Sequence, residues 1–310
     1  MNLAIRRNAI EGQQQSLTGD LQARFIAYLD AKPRTIEAYS KALKPFFAYL
    51  SANGITQPTR ENIIAYRDSL KATYKATTVQ AYIVPVRLFF QWAQQEGLYP
   101  NVAEHVKGAK ISKDHKKDAL TTRQIKAVLD AIDTDSLQGL RDYAILALMV
   151  TCGLRTIEVA RADIGDLRTA GDNTALFIQG KGQDEKSEYV KITQPVEKAI
   201  RAYLNCRGKA DAGQPLFASL SNNSQGGRMT TRSISGIVKD RFTDAGYDSE
   251  RLTAHSLRHT AGTLNLLNGG TLEETQQLLR HSNINTTMIY LHHLDRAKNN
   301  SEARIAAAIF

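Results

Sequence analysis

The sequence predicts a mainly α-helical protein: an N-terminal helical bundle, then a mainly helical second domain that carries a small antiparallel β-sheet. Three observations predict it. Apolar residues recur at three- and four-residue spacing through most of the chain. One stretch alternates like a hairpin, with strand patterns at 175–179 and 188–192 flanking GKGQDEKS. A polar, lysine-rich stretch at 99–118 separates two regions, each long enough for a core of its own.

Each element follows from its spacing. Leu21, Phe25 and Leu29 share one helical face, with Asp20 placed to cap it. Ile36, Tyr39, Leu43, Phe46, Phe47 and Leu50 form the next face, which Gly54 ends. Ile63, Ile64, Tyr66 and Leu70 mark a third helix. Val79, Tyr82, Ile83, Val86, Phe89 and Trp92 mark a fourth that stops at Gly97, and Pro85 inside it is expected to break or kink it. These aromatics read as core packing, so the function of this bundle is expected on its basic surface. In the second half, Thr122, Ile125, Val128, Leu129 and Ile132 give one helix, and 143–150 is apolar nearly all round, as a buried helix would be. Gly269 and Gly270 read as a helix–helix turn.

Composition narrows the class. With 42% hydrophobic and 23% charged residues the chain reads as globular and soluble. No stretch approaches the roughly 18–20 apolar residues of a membrane span, and the N-terminus lacks a signal-peptide core. Cys152 and Cys206 are the only cysteines, which predicts neither a disulfide scaffold nor a cysteine-rich zinc site and suits a reducing cytoplasm. The net charge of +9 is unevenly spread: residues 1–118 hold 17 Lys/Arg against 10 Asp/Glu, the rest 23 against 21. A basic front half with a near-neutral back half suggests DNA gripping on one side and a packed domain on the other. Lys107, Lys110, Lys113, Lys116 and Lys117 read both as a solvated linker and as a segment that follows a phosphate backbone.

Breaking a phosphodiester without a metal requires a nucleophile, cationic donors for the charged phosphorane and an acid for the leaving oxygen. The second half offers such a set in order: Arg155 in TCGLRTIEVA, Lys181 in GKG, His255 and Arg258 in HSLRH, His281 in LLRHSNINTT, then Tyr290. Arginine suits the phosphate because its planar fork donates two hydrogen bonds and keeps its charge.

These boxes resemble the successive catalytic motifs of the tyrosine recombinase (phage integrase) family. His281 and Tyr290 stand nine positions apart with a Thr-Thr pair between them, as is usual there. LTTRQIKAVLDAI with RDYAILALMVTCGLR is similar to the opening of the family's catalytic domain. TVQAYIVPVRLFFQWAQQEGLYPNVA is similar to the end of its SAM-like, core-binding helical domain. The resemblance covers nearly the whole chain in a Xer-like two-domain form. It implies a polar leader at 1–17, a core-binding DNA-binding domain at 18–106, a basic linker at 107–118, a catalytic domain at 119–298 and a docking tail at 299–310. It further implies site-specific recombination through a 3′-phosphotyrosyl intermediate and a Holliday junction, serving a mobile element or chromosome-dimer resolution. In that scheme Tyr290 attacks, Arg155 and Arg258 hold the non-bridging oxygens, and Lys181, with Lys186 as competitor, protonates the 5′-oxygen. His255 serves as base or phosphate donor, His281 donates to the phosphate, and Glu158 supports Arg155 or His255. No cofactor, ATP or metal is expected. The expected partners are double-stranded DNA with an inverted-repeat core site, three further copies on two duplexes, and room for an accessory protein. The apolar tail, with Ile305, Ile309 and Phe310, is expected to dock on a neighbouring protomer or in cis.

Two positions depart from the family pattern: Arg280 stands where glycine is usual, and Gly262 where a bulkier residue is more common. Arg280 is expected either to add a DNA contact or to shift the helix start that aims His281. Competing readings are a metal-dependent hydrolase built on His255, His259, His281, His292 and His293, a non-catalytic DNA binder, and a type IB topoisomerase or telomere resolvase.

Overall fold

A computed structural model describes residues 19–111, 118–180, 183, 185–298 and 301–310. The polar leader, Lys113, Lys116, Lys117 and Lys181 lie outside the described residues, as do the side chains of His292 and His293. The chain divides into two compact units, Met1–Lys113 and Asp114–Phe310.

The first unit is built from α1 (Gly19–Tyr28), α2 (Pro33–Ala52), α3 (Arg60–Thr73) and α4 (Ala76–Gln95). Their apolar faces close on a core running from Leu21 to Val106, in which Phe25, Phe46, Phe89 and Phe90 are fully buried. Edge-to-face contacts organise it: Phe25 on Phe89 at 5.6 Å, Phe46 on Tyr66 at 5.1 Å and Phe47 on Phe89 at 5.3 Å. The expected break at Pro85 does not occur, because α4 continues through it. A proline costs a helix one hydrogen bond, and here Ile83, Val86, Phe89 and Trp92 bury the surrounding face and offset that loss.

The second unit opens with α5 (Thr122–Asp130) and α6 (Leu137–Cys152), followed by α7 (Thr156–Arg161) and a short 3-10 turn, Ile164–Asp166. An antiparallel sheet in the order β1 (Leu167–Ala170), β2 (Asn173–Ile178), β3 (Glu188–Lys191) comes next. Sequence reading gave only β2 and β3. β1 escaped because LRTA shows no apolar alternation and buries no residue fully, although Gly171-Asp172 between Ala170 and Asn173 is a two-residue hairpin turn, with φ +59° at the glycine. The chain ends in α8 (Gln194–Arg207), α9 (Thr231–Asp244), α10 (Ala254–Leu267), α11 (Leu272–Leu279), α12 (Asn285–Lys298) and α13 (Ser301–Ile309). As its sequence predicts, α6 is buried on most sides, from Ala144 through Cys152, and packs against α8 and α10. Gly269, at φ +93°, makes the turn between α10 and α11.

Candidate active site

Gly153 places the first arginine. Its left-handed φ of +58° ends α6, and a side chain there would meet Leu279 at 2.8 Å. The chain then turns through buried Leu154 into α7, with Arg155 at the N-cap. Glu158, one turn on and fully buried, closes that cap. Its carboxylate accepts from the Arg155 backbone N–H at 2.8 Å and from the Arg155 guanidinium at 2.8 Å. Glu158 thus bonds both the backbone and the side chain of Arg155.

Arg258 lies on α10, capped at Thr253 through Ser256. It is fully buried and donates to the Gly153 carbonyl at 2.5 Å and to the Leu279 carbonyl. Burial, with Arg155 and Arg280 as neighbours, pulls its pKa down to about 9, with Glu158 acting in the opposite sense. It stays charged at neutral pH. His255, one turn earlier on α10, is exposed and lines a cavity of about 350 Å³ together with Arg155, Thr253 and Arg258.

His281 follows the end of α11, and its Nδ1 sits 2.9 Å from Thr287 Oγ1, with Thr287 fully buried in α12. Burial first, then Arg258, Arg155, His255 and Arg280, lower its pKa to about 4, so the imidazole is neutral at pH 7. Tyr290, one turn further along α12, is 4% exposed. Its ring lies parallel to His281 at 6.5 Å and edge-on to His259 at 4.7 Å, beside Ala261 and Leu279. Burial raises the phenol pKa, while Arg258 and Arg155 act to lower it. Gly262 provides the space: a Cβ there would stand 3.2 Å from the Tyr290 ring and 2.9 Å from Leu279. The departure at 262 thus has a packing reason.

Arg280 does not project into solvent. Its side chain is 10% exposed and turns inward, donating to Glu158 at 2.8 Å, to the Leu278 carbonyl at 2.8 Å and to the Gly153 carbonyl at 3.3 Å. Its backbone takes the left-handed φ of +51° that glycine would adopt without cost.

The hairpin root completes the surroundings. Gly180, Gln183 and Glu188 face Arg155, Gln276, Arg280 and His281 across a cleft of about 720 Å³. Arg161 holds the Gly180 carbonyl at 3.2 Å. Lys186 is tied to Asp163 at 2.6 Å and to Asp166, and Arg228 also reaches Asp163. Burial works against the Lys186 charge, but these carboxylates outweigh it and hold its pKa above the usual lysine value. Lys107 and Lys110 are exposed at the end of the first unit. Among the described residues no three His, Cys, Asp or Glu side chains cluster as metal ligands would, and no helix is long and apolar enough to cross a membrane.

The structure thus gathers Arg155, Glu158, Arg258, His281 and Tyr290 in one place, with His255 at its edge. Sequence reading passed over three contributors. Thr287 belonged to a Thr-Thr pair noted without a role, His259 was weighed only as a metal ligand, and Arg280 was expected to contact DNA or shift a helix start, whereas its side chain turns inward to Glu158.

Both units are similar to known proteins. Residues 118–297 match the phage integrase family, and residues 23–97 match the phage integrase N-terminal SAM-like domain. The tyrosine recombinase XerC of Actinobacillus pleuropneumoniae serotype 7 is 32% identical over 84% of this chain and 84% of its own length. The tyrosine recombinase XerD of Listeria monocytogenes serotype 4b is 28% identical over 83% of this chain and 87% of its own. In fold, the chain is similar to XerH site-specific recombinase bound to a palindromic difH substrate, with TM-score 0.69 and 20% identity over 85% of this chain and 78% of that one. It is likewise similar to a lambda integrase tetramer bound to a Holliday junction, with TM-score 0.68 and 16% identity over 94% of this chain and 80% of that one. With both units matched in order and a curated relative aligned over most of its length, this protein belongs to the phage integrase family of tyrosine recombinases.

Proposed function

We propose that the protein is a site-specific DNA recombinase whose nucleophile is Tyr290. The observation that carries this reading is the placement of the Tyr290 ring beside His281, within electrostatic reach of Arg155 and Arg258. The Tyr290 oxygen attacks the scissile phosphorus, the bond to the 5′-oxygen breaks, and a 3′-phosphotyrosyl link forms. Arg155 and Arg258 neutralise the non-bridging oxygens as charge builds. His281, oriented by Thr287, donates a further hydrogen bond to the phosphate. His255 takes the phenol proton or contacts the phosphate. Lys181 protonates the leaving 5′-oxygen, a role for which Lys186 is poorly suited while it is bound between Asp163 and Asp166. Attack by the 5′-hydroxyl of a second strand reverses the chemistry, so no ATP is consumed. In the present conformation Tyr290 is buried, so cleavage requires that it be freed when DNA binds.

In this reading the first unit grips DNA through exposed cations such as Arg34, Lys44, Lys75 and Arg87, and Lys107 and Lys110 continue the track. Four copies act on two duplexes at an inverted-repeat core site, through a Holliday junction, in the cytoplasm and on nucleoid DNA. Ile305 and Ile309 of α13 and the adjoining Phe310, all exposed here, dock on a neighbouring copy.

The test is to incubate the protein with sheared source-genome DNA in EDTA, denature in SDS and recover covalent adducts. Adducts that vanish in Tyr290→Phe support the reading, and sequencing the captured DNA gives the site. Adducts that persist in Tyr290→Phe contradict it.

A further inference from the structure

Arg280 shares an acceptor with each of the two arginines assigned to the phosphate. Glu158 accepts from Arg155 and from Arg280, both at 2.8 Å. The Gly153 carbonyl accepts from Arg258 at 2.5 Å and from Arg280 at 3.3 Å. Arg155 also reaches the Arg280 carbonyl, at 3.4 Å. The Arg280 Nε is buried and has no hydrogen-bond partner among the described residues, so it is a spare donor.

Arg155 and Arg258 now spend both ends of their forks on protein acceptors, so presenting a full fork to a phosphate loosens at least one of those bonds. Those acceptors are a fully buried carboxylate and backbone carbonyls around buried Leu154 and Leu279, groups that are costly to leave without donors. With glycine at 280, Glu158 would keep only the Arg155 backbone N–H, and the Gly153 carbonyl would lose its second side-chain donor. We infer that Arg280 is a positioning residue that takes over the Glu158 carboxylate and the Gly153 carbonyl when Arg155 and Arg258 turn to the scissile phosphate. It touches neither substrate nor reacting atoms in this scheme, and lowers the cost of the rearrangement that cleavage requires. The inference rests on the recombinase reading given above.

The experiment uses the full-length protein and a nicked duplex carrying the sequence captured by the wild-type adduct. DNA affinity, single-turnover adduct formation and thermal melting are compared for wild type, Arg280→Gly, Arg280→Lys and Arg280→Gly with Glu158→Gln. Glycine fits the left-handed backbone at 280, so this variant is expected to fold. The expected result is a roughly tenfold slower adduct formation in Arg280→Gly, with DNA affinity within about twofold of wild type. Lysine, which restores one cationic donor, recovers part of the rate. Removing the buried charge with Glu158→Gln makes the double variant faster than Arg280→Gly alone, a reversal that a merely structural role would not produce. Equal rates for Arg280→Gly and wild type overturn the inference. So does a loss matched by weaker DNA binding or a lower melting temperature with no recovery in the double variant. Failure of the wild type to form any adduct refutes the recombinase reading itself, and is thereby distinct from failure of this inference.

Discussion

The first unit buries Phe25, Phe46, Phe89, Phe90 and Trp92, whereas the second buries Arg141, Asp142, Glu158, Arg258 and His259 beside its apolar core. Among the described residues, every buried charged side chain lies in the second unit. The core of the first unit is thus built from apolar area and ring contacts, and its charges stay nearer the surface. In the second unit arginine and carboxylate are held in a low-dielectric interior, where each needs its partners and where interactions with an incoming anion are strengthened. Burial of charge marks where chemistry is expected, and burial of rings marks where support is expected.

The contrast can be broken from either side. The largest stability effect is expected in the first unit. Phe46→Ala removes a fully buried ring in contact with Phe47, Tyr66 and Phe90, and should cost about 3–5 kcal/mol in urea denaturation. Next comes Arg258→Lys. It keeps a cation but loses the fork that spans the Gly153 and Leu279 carbonyls, and adduct formation should fall by roughly 10²-fold, about 2.7 kcal/mol of barrier. DNA affinity and far-UV circular dichroism should hardly change. Loss of DNA binding in Arg258→Lys would place that side chain in the grip rather than in the chemistry.

A smaller effect sharpens the electrostatic side. The folded site lowers the His281 pKa from 6.5 to about 4, and so refuses a proton that the unfolded chain accepts. The stability from keeping His281 neutral is complete above pH 6.5 and is lost as pH falls toward 4. Melting temperatures at pH 7.5 and pH 5 should therefore differ more for wild type than for His281→Gln. An equal drop in both would mean that the imidazole is already charged in the folded site.

Much of this division was legible in the sequence. The 3.6-residue recurrence in α1–α4 and the all-apolar face of α6 are local patterns that packing then confirms. The catalytic boxes were legible because each is a short string at a familiar spacing. What escaped is non-local. β1, LRTA, carries no apolar alternation and has no fully buried residue. Pro85 was expected to break α4, and its cost is met by side chains on the same helix packing against other helices. The inward turn of Arg280 depends on Glu158, 122 positions earlier, and no periodicity links them. Gly262 was visible as an oddity, but its reason, the ring of Tyr290, emerges only when α10 meets α12.

In the proposed reaction Tyr290, drawn from this buried cationic cluster, becomes covalently attached to DNA. The most direct test digests the trapped protein–DNA adduct with nuclease and protease and locates the residual nucleotide by mass spectrometry. The nucleotide is expected on the peptide containing Tyr290, linked through the tyrosine oxygen to a 3′-phosphate. A nucleotide on any other residue, or a linkage to a 5′-phosphate, would contradict it.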